Sequence, residues 1–440
     1  MTTRRFPRYP AYKDSGVEWL GEIPAHWEVK RLKYLLAEPL KYGANEAAEL
    51  DDPDLPRYIR ITDIDERDGL REDTFKSLPV DVAEEYLLHE GDLLFARSGA
   101  TAGKTFLYRR SWGTCAYAGY LIRARLDTTR VCPEFVRYFT ASSSYRQWLS
   151  SAFIQATIQN VSAEKYASLV VAHPPYPEQR AIAASLDRET ARIDALVAKK
   201  ERLIDLLQEQ RTALITGAVT RGLDPQVAMK DSGVQWLGAI PAHWEVTPLK
   251  RIFANLDSRR VPLSGEERAT MTKDYPYYGA SGVIDHVEDY IFDEPLILVA
   301  EDGANLYSRS TALAFVANGK YWVNNHAHIL KPLDGDVSYW AQVLSCVVLD
   351  PWISGSAQPK LTGEKLGSIP LPVIPLLERH AIAAFLDRET ARIDTLVAKV
   401  RDAIECLDEL RTALISAAVT GKIDVRAASA EAAASQGGAL

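Results

Sequence analysis

AIAASLDRETARIDALVAK at residues 181–199 returns as AIAAFLDRETARIDTLVAK at 381–399, and RTALITGAVT at 211–220 returns as RTALISAAVT at 411–420. In the first copy Ile182, Leu186, Ile193, Leu196, Leu203, Leu207 and Leu214 recur on alternating three- and four-residue steps, with Glu189, Lys200 and Gln210 completing the heptad. That period is the signature of a helix that buries one seam against another helix. The second copy carries Ile382, Leu386, Glu389, Ile393, Leu396, Val400, Ala403, Leu407, Leu410 and Leu414 at matching positions. Two long helices packed on each other are therefore expected. An antiparallel pair centred near Lys200 and Val400 places Glu189 beside Arg411 and Glu389 beside Arg211; the alternative is that both carboxylates reach toward water. Residues 181–215 span about 52 Å at 1.5 Å per residue, which matches about 15 base pairs of duplex. A coiled coil without any such metric purpose is the plainer reading.

Outward from the helices, DSGVEWLGEIPAHWEV at 14–29 reappears as DSGVQWLGAIPAHWEV at 231–246. The motif is displaced by 217 residues and the helices by 200, so the segment after the second motif is 17 residues shorter. A period this long excludes a solenoid and indicates one duplicated unit of domain plus helix. Between motif and helix lie short β-type runs: RYIRIT at 57–62, DLLFAR at 92–97, YLIRARL at 120–126, LILVA at 296–300 and HIL at 328–330. Helical stretches such as 133–151 interrupt them. The fold class is α+β: two mixed α/β domains separated by two long helices in an antiparallel coiled coil, with an internal pseudo-twofold repeat. The expected divisions are a repeat motif at 1–29, a first domain at 30–175, a first helix at 176–222, linker and motif at 223–244, a second domain at 245–373, a second helix at 374–422 and a disordered tail at 423–440.

At 440 residues the chain exceeds one ordinary core. No apolar run approaches the roughly 20 residues of a membrane helix, and the basic start has no secretory signal after it, so a cytoplasmic location is expected. Cys115, Cys132, Cys346 and Cys406 lack paired spacing for zinc or redox chemistry. The net charge of −8 is unpromising for a nucleic-acid binder, but its distribution is uneven. Residues 35–92 carry 6 basic and 17 acidic side chains, whereas residues 93–165 carry 10 basic and 3 acidic. Arg97, Lys104, Arg109, Arg110, Arg123, Arg125 and Arg130 are interleaved with Tyr108, Trp112, Tyr117 and Tyr120 there. A basic face with aromatics suits DNA; a solvated strand surface is the bland alternative. Residues 245–373 hold 11 basic and 16 acidic side chains, so DNA binding by that region needs help from partners.

The repeated WLGxIPAHWEV and the helix beginning EQRAIAASLDRETARIDALV resemble the specificity subunits of Type I restriction–modification enzymes over nearly the whole chain. GDLLFARSGATAGKTFLY at 91–108 is similar to a loop of their recognition domains. YPYYGASGVIDHVEDYIF at 275–292, LVAEDGANL at 298–306, WVNNHAHIL at 322–330 and GSAQPKLT at 355–362 resemble a second domain type. The resemblance implies a non-catalytic subunit that binds double-stranded DNA and recruits two methyltransferase subunits and two restriction subunits. S-adenosylmethionine, ATP and Mg would belong to those partners. Because the inserts differ while the frame repeats, it implies an asymmetric, interrupted target. DNA-binding candidates are Arg97, Ser98, Thr101, Lys104, Arg109 and Arg110 in the first domain. In the second they are Asn324, Asn325 and His326, with Tyr277, Tyr278, Ser281, Asn305, Gln358 and Lys360 in loops. Asn suits adenine's donor and acceptor pair in the major groove.

Three other chemistries are suggested by short strings. SGATAGKT at 98–105 approaches a phosphate-binding P-loop, but Ser98 replaces the first glycine and the stretch after Thr105 reads as strand, not helix. HPPY at 173–176 approaches the tetrapeptide of amino-methyltransferases, but His173 stands where a leading Asn or Asp must accept from the target amine. No glycine-rich cofactor loop accompanies it, which weighs against a single-chain DNA methyltransferase. His326 and His328 alternate along a strand toward one side but supply only two ligands, so no metal is expected. A coiled-coil adaptor without DNA binding is the third reading, disfavoured by the basic stretch.

Overall fold

A computed structural model of the chain describes residues 6–65, 69–99, 101–153, 160–303, 305–308, 311–355 and 359–426. The chain divides into two compact units. Unit 1 is Met1–Lys200 with Asp402–Leu440, and unit 2 is Glu201–Arg401. Two long helices, Tyr176–Arg221 and Leu376–Val419, each contribute to both.

In unit 1 the repeated motif forms a hairpin of Tyr12–Asp14 on Glu22–Pro24. Glu28–Arg31 then pairs antiparallel with Val170–His173, so the entry to the inserted domain is stitched to its exit. The domain holds a four-stranded antiparallel sheet ordered Lys41–Tyr42, Leu121–Ala124, Leu93–Ala96, Thr105–Leu107. Leu93–Ala96 and Leu121–Ala124 are buried along their whole length, as central strands covered on both faces should be. Arg57–Ile59 runs parallel to Cys115–Tyr117 beside them. The helical stretch at 133–151 is two helices, Pro133–Thr140 and Ser143–Phe153. The break falls at buried Ser142, whose hydroxyl accepts from Tyr145 N and so competes with helix continuation.

Unit 2 repeats the plan. Met229–Asp231 pairs with Ala239–Pro241, and Glu245–Pro248 pairs with Pro370–Val373. Its four-stranded sheet is ordered Phe253–Asn255, Ala327–Pro332, Leu296–Ala300, Ala314–Ala317. Gly282–Val287, Tyr275–Gly279 and Trp322–Val323 form a second, three-stranded sheet.

Within each unit the long helices run antiparallel. In unit 1 Ile182 and Leu186 share a core with Leu414, Ile415, Ala418 and Val419; in unit 2 Ile215, Ala218 and Val219 share one with Ile382 and Leu386. The register differs from the expected one by five residues. Arg411 Nε lies 3.3 Å from Asp194, and Arg211 Nε lies 3.4 Å from Asp394, in place of Glu189 and Glu389. Glu389 instead meets Arg388 and Arg392 on its own helix.

The seam is also corrected. Ile182, Leu186, Ile193, Leu207, Ile382, Leu386, Ile393 and Leu414 are buried, and Leu214, Val400 and Leu407 are half-buried. Leu196, Leu203 and Leu396, however, are 44%, 43% and 41% exposed, while Val197 and Val397 beside them are buried. Two apolar stripes lie one residue apart on the first helix, and a strict heptad of leucines selects the wrong one. The inward stripe continues from Thr190, whose hydroxyl is 3.2 Å from that of Tyr138 in the inserted domain. The expected disordered tail is likewise corrected at its start: Ile423 and Val425 are buried in unit 1, and Asp424 N donates to the Pro7 carbonyl. The remainder, 427–440, lies outside the described residues.

Gly43 marks the tightest approach of backbone to backbone. A Cβ there would sit 2.3 Å from the Tyr117 carbonyl oxygen and 2.4 Å from that of Ala118. Neither neighbour can swing away as a side chain would. Gly43→Ala is expected to lower the unfolding free energy of unit 1 by about 1–3 kcal/mol, read by urea denaturation. Gly113→Ala, where nothing lies within 4 Å, reports the conformational cost alone at a left-handed residue; a loss under about 0.5 kcal/mol for Gly43→Ala would show that Gly43 is not sterically required.

Candidate nucleic-acid interface

Part of the candidate set collects at one rim of each four-stranded sheet, beside the end of one central strand and the start of the other. In unit 1 Arg97 follows Leu93–Ala96 and its N–H donates to the Tyr120 carbonyl across the sheet. Ser98 bridges to Asn160 through the backbone. The Arg97 guanidinium lies 5.1 Å from the ring centre of Tyr42, within cation–π range, and the Tyr120 ring is 66% exposed.

The loop between Arg97 and Thr105 is not a phosphate cradle. Ala102 N donates to the Gly99 carbonyl, Gly103 N to Ala96, and Lys104 N to Thr101, so these amides are spent within the hairpin. Gly103 has a φ of +87°, and a Cβ there would meet Leu149 at 2.0 Å. Thr101 is exposed, and Lys104 Nζ donates to the Asp65 carbonyl at 3.0 Å. Arg109 and Arg110 do not join this cluster. Leu93 faces Leu107 and Phe95 faces Thr105, which puts both arginines beyond the opposite end of the hairpin.

Much of the sequence polarity of the first domain is internal neutralisation. Arg123, nearly buried, pairs with Glu38 at 2.6 Å; Arg125 pairs with Asp92 at 2.8 Å and with Glu38 at 2.8 Å; Arg130 pairs with Asp127. Tyr108 and Tyr117 are core residues. Only part of the basic stretch therefore remains to face a ligand.

Unit 2 builds the same rim from different chemistry. Glu301 and Asp302 follow Leu296–Ala300, Glu301 N donates to the His326 carbonyl, and Asp302 bridges to Lys360. Glu301 accepts from Arg260 Nη1 at 2.5 Å and lies 3.3 Å from Lys360 Nζ. Burial opposes its ionisation, yet Arg260, His328 and Lys360 together hold its carboxyl below the usual range. His328, fully buried, sits with Nδ1 2.6 Å from Asp257 Oδ2 and Nε2 2.7 Å from the Leu361 carbonyl oxygen. Both ring nitrogens face acceptors, so both carry protons. Burial pushes its pKa down, but the Asp257 carboxylate, the Leu361 carbonyl and Glu301 outweigh that and raise it.

His326 and His328 do not converge, contrary to a shared face: His326 Nδ1 meets Asp302 at 2.8 Å, away from Asp257. Among the described residues no three metal-binding side chains gather. Tyr277 is buried, its ring under Arg268 and its hydroxyl accepting from Leu263 N, so its place is the core. Asn324 is also buried, and its Oδ1 accepts from His326 N at 2.8 Å, which shapes the turn. Tyr278 packs between Phe315 and Tyr321. Ser281 and Asn325 are exposed, and the Asn325 carbonyl accepts from Arg260. Asn305 Oδ1 accepts from Thr311 N. Gln358 lies outside the described residues. The group that organises this rim, Asp257, Arg260, Glu301 and His328, is absent from the DNA-binding candidates; His328 figures in the sequence reading only as a metal ligand. Its one sequence signal is ionisable residues at inward positions, as in LVAED and HAHIL.

The model of the Type I restriction modification DNA specificity domain matches residues 241–405. A putative specificity subunit of a type I restriction enzyme from Methanocaldococcus jannaschii is 23% identical over 92% of this chain and 96% of its own length. The chain is similar to the specificity subunits of Type I restriction enzymes, through the family model over residues 241–405 and through this relative over most of its length. A putative type I restriction enzyme specificity subunit from Haemophilus influenzae is 34% identical over 33% of this chain, and that alignment spans 37% of the relative's length. A chain from a structural study of the assembly and conformational transition of a type I restriction–modification system superposes with a TM-score of 0.66. It covers 90% of this chain and 98% of the other at 15% identity, which shows a shared fold.

Proposed function

We propose that this subunit reads a split, asymmetric DNA target, with the domains at 30–175 and 245–373 each reading one half. The carrying observation is one rim built twice with opposite chemistry. Arg97 and Tyr42 hold the place in unit 1 that Glu301 and Asp257 hold in unit 2. Identical frames displaying different donors and acceptors read different bases, whereas a palindrome needs identical readers. Two methyltransferase subunits and two restriction subunits, holding S-adenosylmethionine, ATP and Mg, supply the chemistry, and the assembly works in the cytoplasm. Among the described residues no helix is long and apolar enough to cross a membrane.

Single-molecule methylome sequencing of cells with and without this chain tests the proposal. A split, asymmetric adenine-methylated motif that vanishes on deletion supports it; an unchanged methylome sinks it in favour of an adaptor. The long helices add a prediction. Removing one heptad from each, between the Asp194–Arg411 and Arg211–Asp394 pairs, shortens each helix by about 10 Å. The methylated motif should lose about three base pairs of spacing and keep both half-sites. Unaltered spacing would remove the ruler role.

A further inference from the structure

Unit 1 contains a cleft of 540 Å³ between the 101–105 loop, the two helices at 133–153 and the long helix around Arg411. Lys104, Arg137, Arg146 and Arg411 line it, and no carboxylate is among its lining residues. Acids at its margin are engaged: Asp194 lies 3.3 Å from Arg411, Asp187 accepts from the Tyr138 hydroxyl at 2.6 Å, and the Asp65 backbone carbonyl accepts from Lys104 Nζ at 3.0 Å. Even with Arg137 set aside, the cations Lys104, Arg146 and Arg411 outnumber the one carboxylate paired among them, a surplus that a hydrated cleft tolerates but an anion stabilises. The corresponding cleft in unit 2, 620 Å³, is lined by Arg211 and Arg401 with Asp394, and its domain side, Thr311–Leu313 with Ser345 and Cys346, carries no charge. The surplus is thus a property of unit 1 and not of the repeated frame.

We propose that this cleft binds a backbone phosphodiester of duplex DNA beside the first half-site, which rests on the DNA-reading function proposed above. The amides of residues 102–104 are spent in the hairpin, so guanidinium and ammonium groups do the binding. Guanidinium forks match phosphate oxygens and are indifferent to base identity. The contact therefore adds affinity without sequence preference.

The test uses the full chain with its methyltransferase partner and measures duplex affinity against salt concentration. Arg146→Gln, at an exposed position, and the Lys104→Gln/Arg146→Gln double variant are compared with wild type, with thermal melting as the check on folding. The slope of log affinity against log salt should fall by about 0.9 for the first and about twice that for the second, equally for target and unrelated duplex. Unchanged slopes overturn the cleft assignment, as does a loss confined to one sequence. Saturable competition by inorganic phosphate at constant ionic strength, present in wild type and lost in the variants, would assign the cleft to small phosphates and overturn the duplex reading. A wild-type complex with no duplex affinity would instead sink the DNA-reading function itself, which separates the two failures.

Discussion

Truncating Trp27 to alanine is expected to lower the stability of unit 1 by about 3–5 kcal/mol, and Trp244→Ala to do the same in unit 2. Both indoles are completely buried. Trp27 lies edge-on to Tyr9 and Phe135 with ring centres 5.7 and 6.5 Å away. Its Nε1 donates to Glu178 Oε1 at 3.1 Å, while His26 Nε2 lies 2.8 Å from Oε2 of the same carboxylate. Unit 2 repeats this: Trp244 and His243 meet Glu378 at 3.1 and 2.7 Å. Each glutamate stands in the first turn of a long helix, where a carboxylate also offsets the helix dipole. The repeated His–Trp pair is thus a clamp that fixes each repeated motif to the start of a long helix. Urea denaturation of the single variants checks the figure. A cost under about 1 kcal/mol would mean that the site collapses around the missing ring and that the clamp is dispensable.

The second large effect is at Asp257. Asp257→Ala leaves the buried His328 imidazolium without its carboxylate and is expected to destabilise unit 2 by about 3 kcal/mol. Wild-type unit 2 should also lose stability toward alkaline pH. The folded pKa of His328 is raised above its ordinary value of 6.5. Its contribution is therefore complete below 6.5 and disappears as pH climbs through the raised value. At the acid end the order reverses. Burial opposes the charge on Asp257, but His328 and the Ile329 amide hold its carboxyl below 3.8, so that contribution is present above 3.8 and fades as pH falls through the lower value. Thermal melting from about pH 2 to about pH 9 should show a plateau bounded by these two losses, with the alkaline fall abolished in His328→Gln. A midpoint insensitive to alkaline pH in the wild type would contradict a charged His328.

The architecture was legible because it is written in periodicity. The heptads announce two long helices, and the observed Tyr176–Arg221 and Leu376–Val419 lie within three residues of the expected 176–222 and 374–422. LILVA at 296–300 reads as a buried strand and is one. Register was not legible, since Asp194 and Glu189 are both acidic, both on the helix, and five residues apart. Nor was the seam at Val197, because an adjacent leucine offers as much apolar area and only packing against the inserted domain chooses between them.

At the interface the losses have one cause. Charge counted along a sequence cannot tell an arginine that faces solvent from one that neutralises a carboxylate 85 residues earlier, as Arg123 does with Glu38. Polar residues in turn-like strings were sought as readers, yet Asn324 and Tyr277 proved to hold the turn and the core. The inward-facing pair of Asp257 and His328 was missed because their partnership spans 71 residues.

The composition of unit 1 from both ends of the chain carries a consequence for biosynthesis. Leu414, Ile415, Ala418, Val419, Ile423 and Val425 belong to the same core as Trp27 and Phe135, and the Tyr12 hydroxyl donates to the Gly421 carbonyl across 409 residues. A ribosome adding about 5–20 residues per second delivers the first domain roughly 10–40 s before these side chains emerge. Through that interval the apolar face of the first helix lacks its cover, while unit 2, drawn from one continuous stretch, becomes complete first. The half of the protein made earliest is the half finished last, and its exposed seam during translation is the point at which a chaperone, or another nascent copy offering the same repeated helix, would intervene.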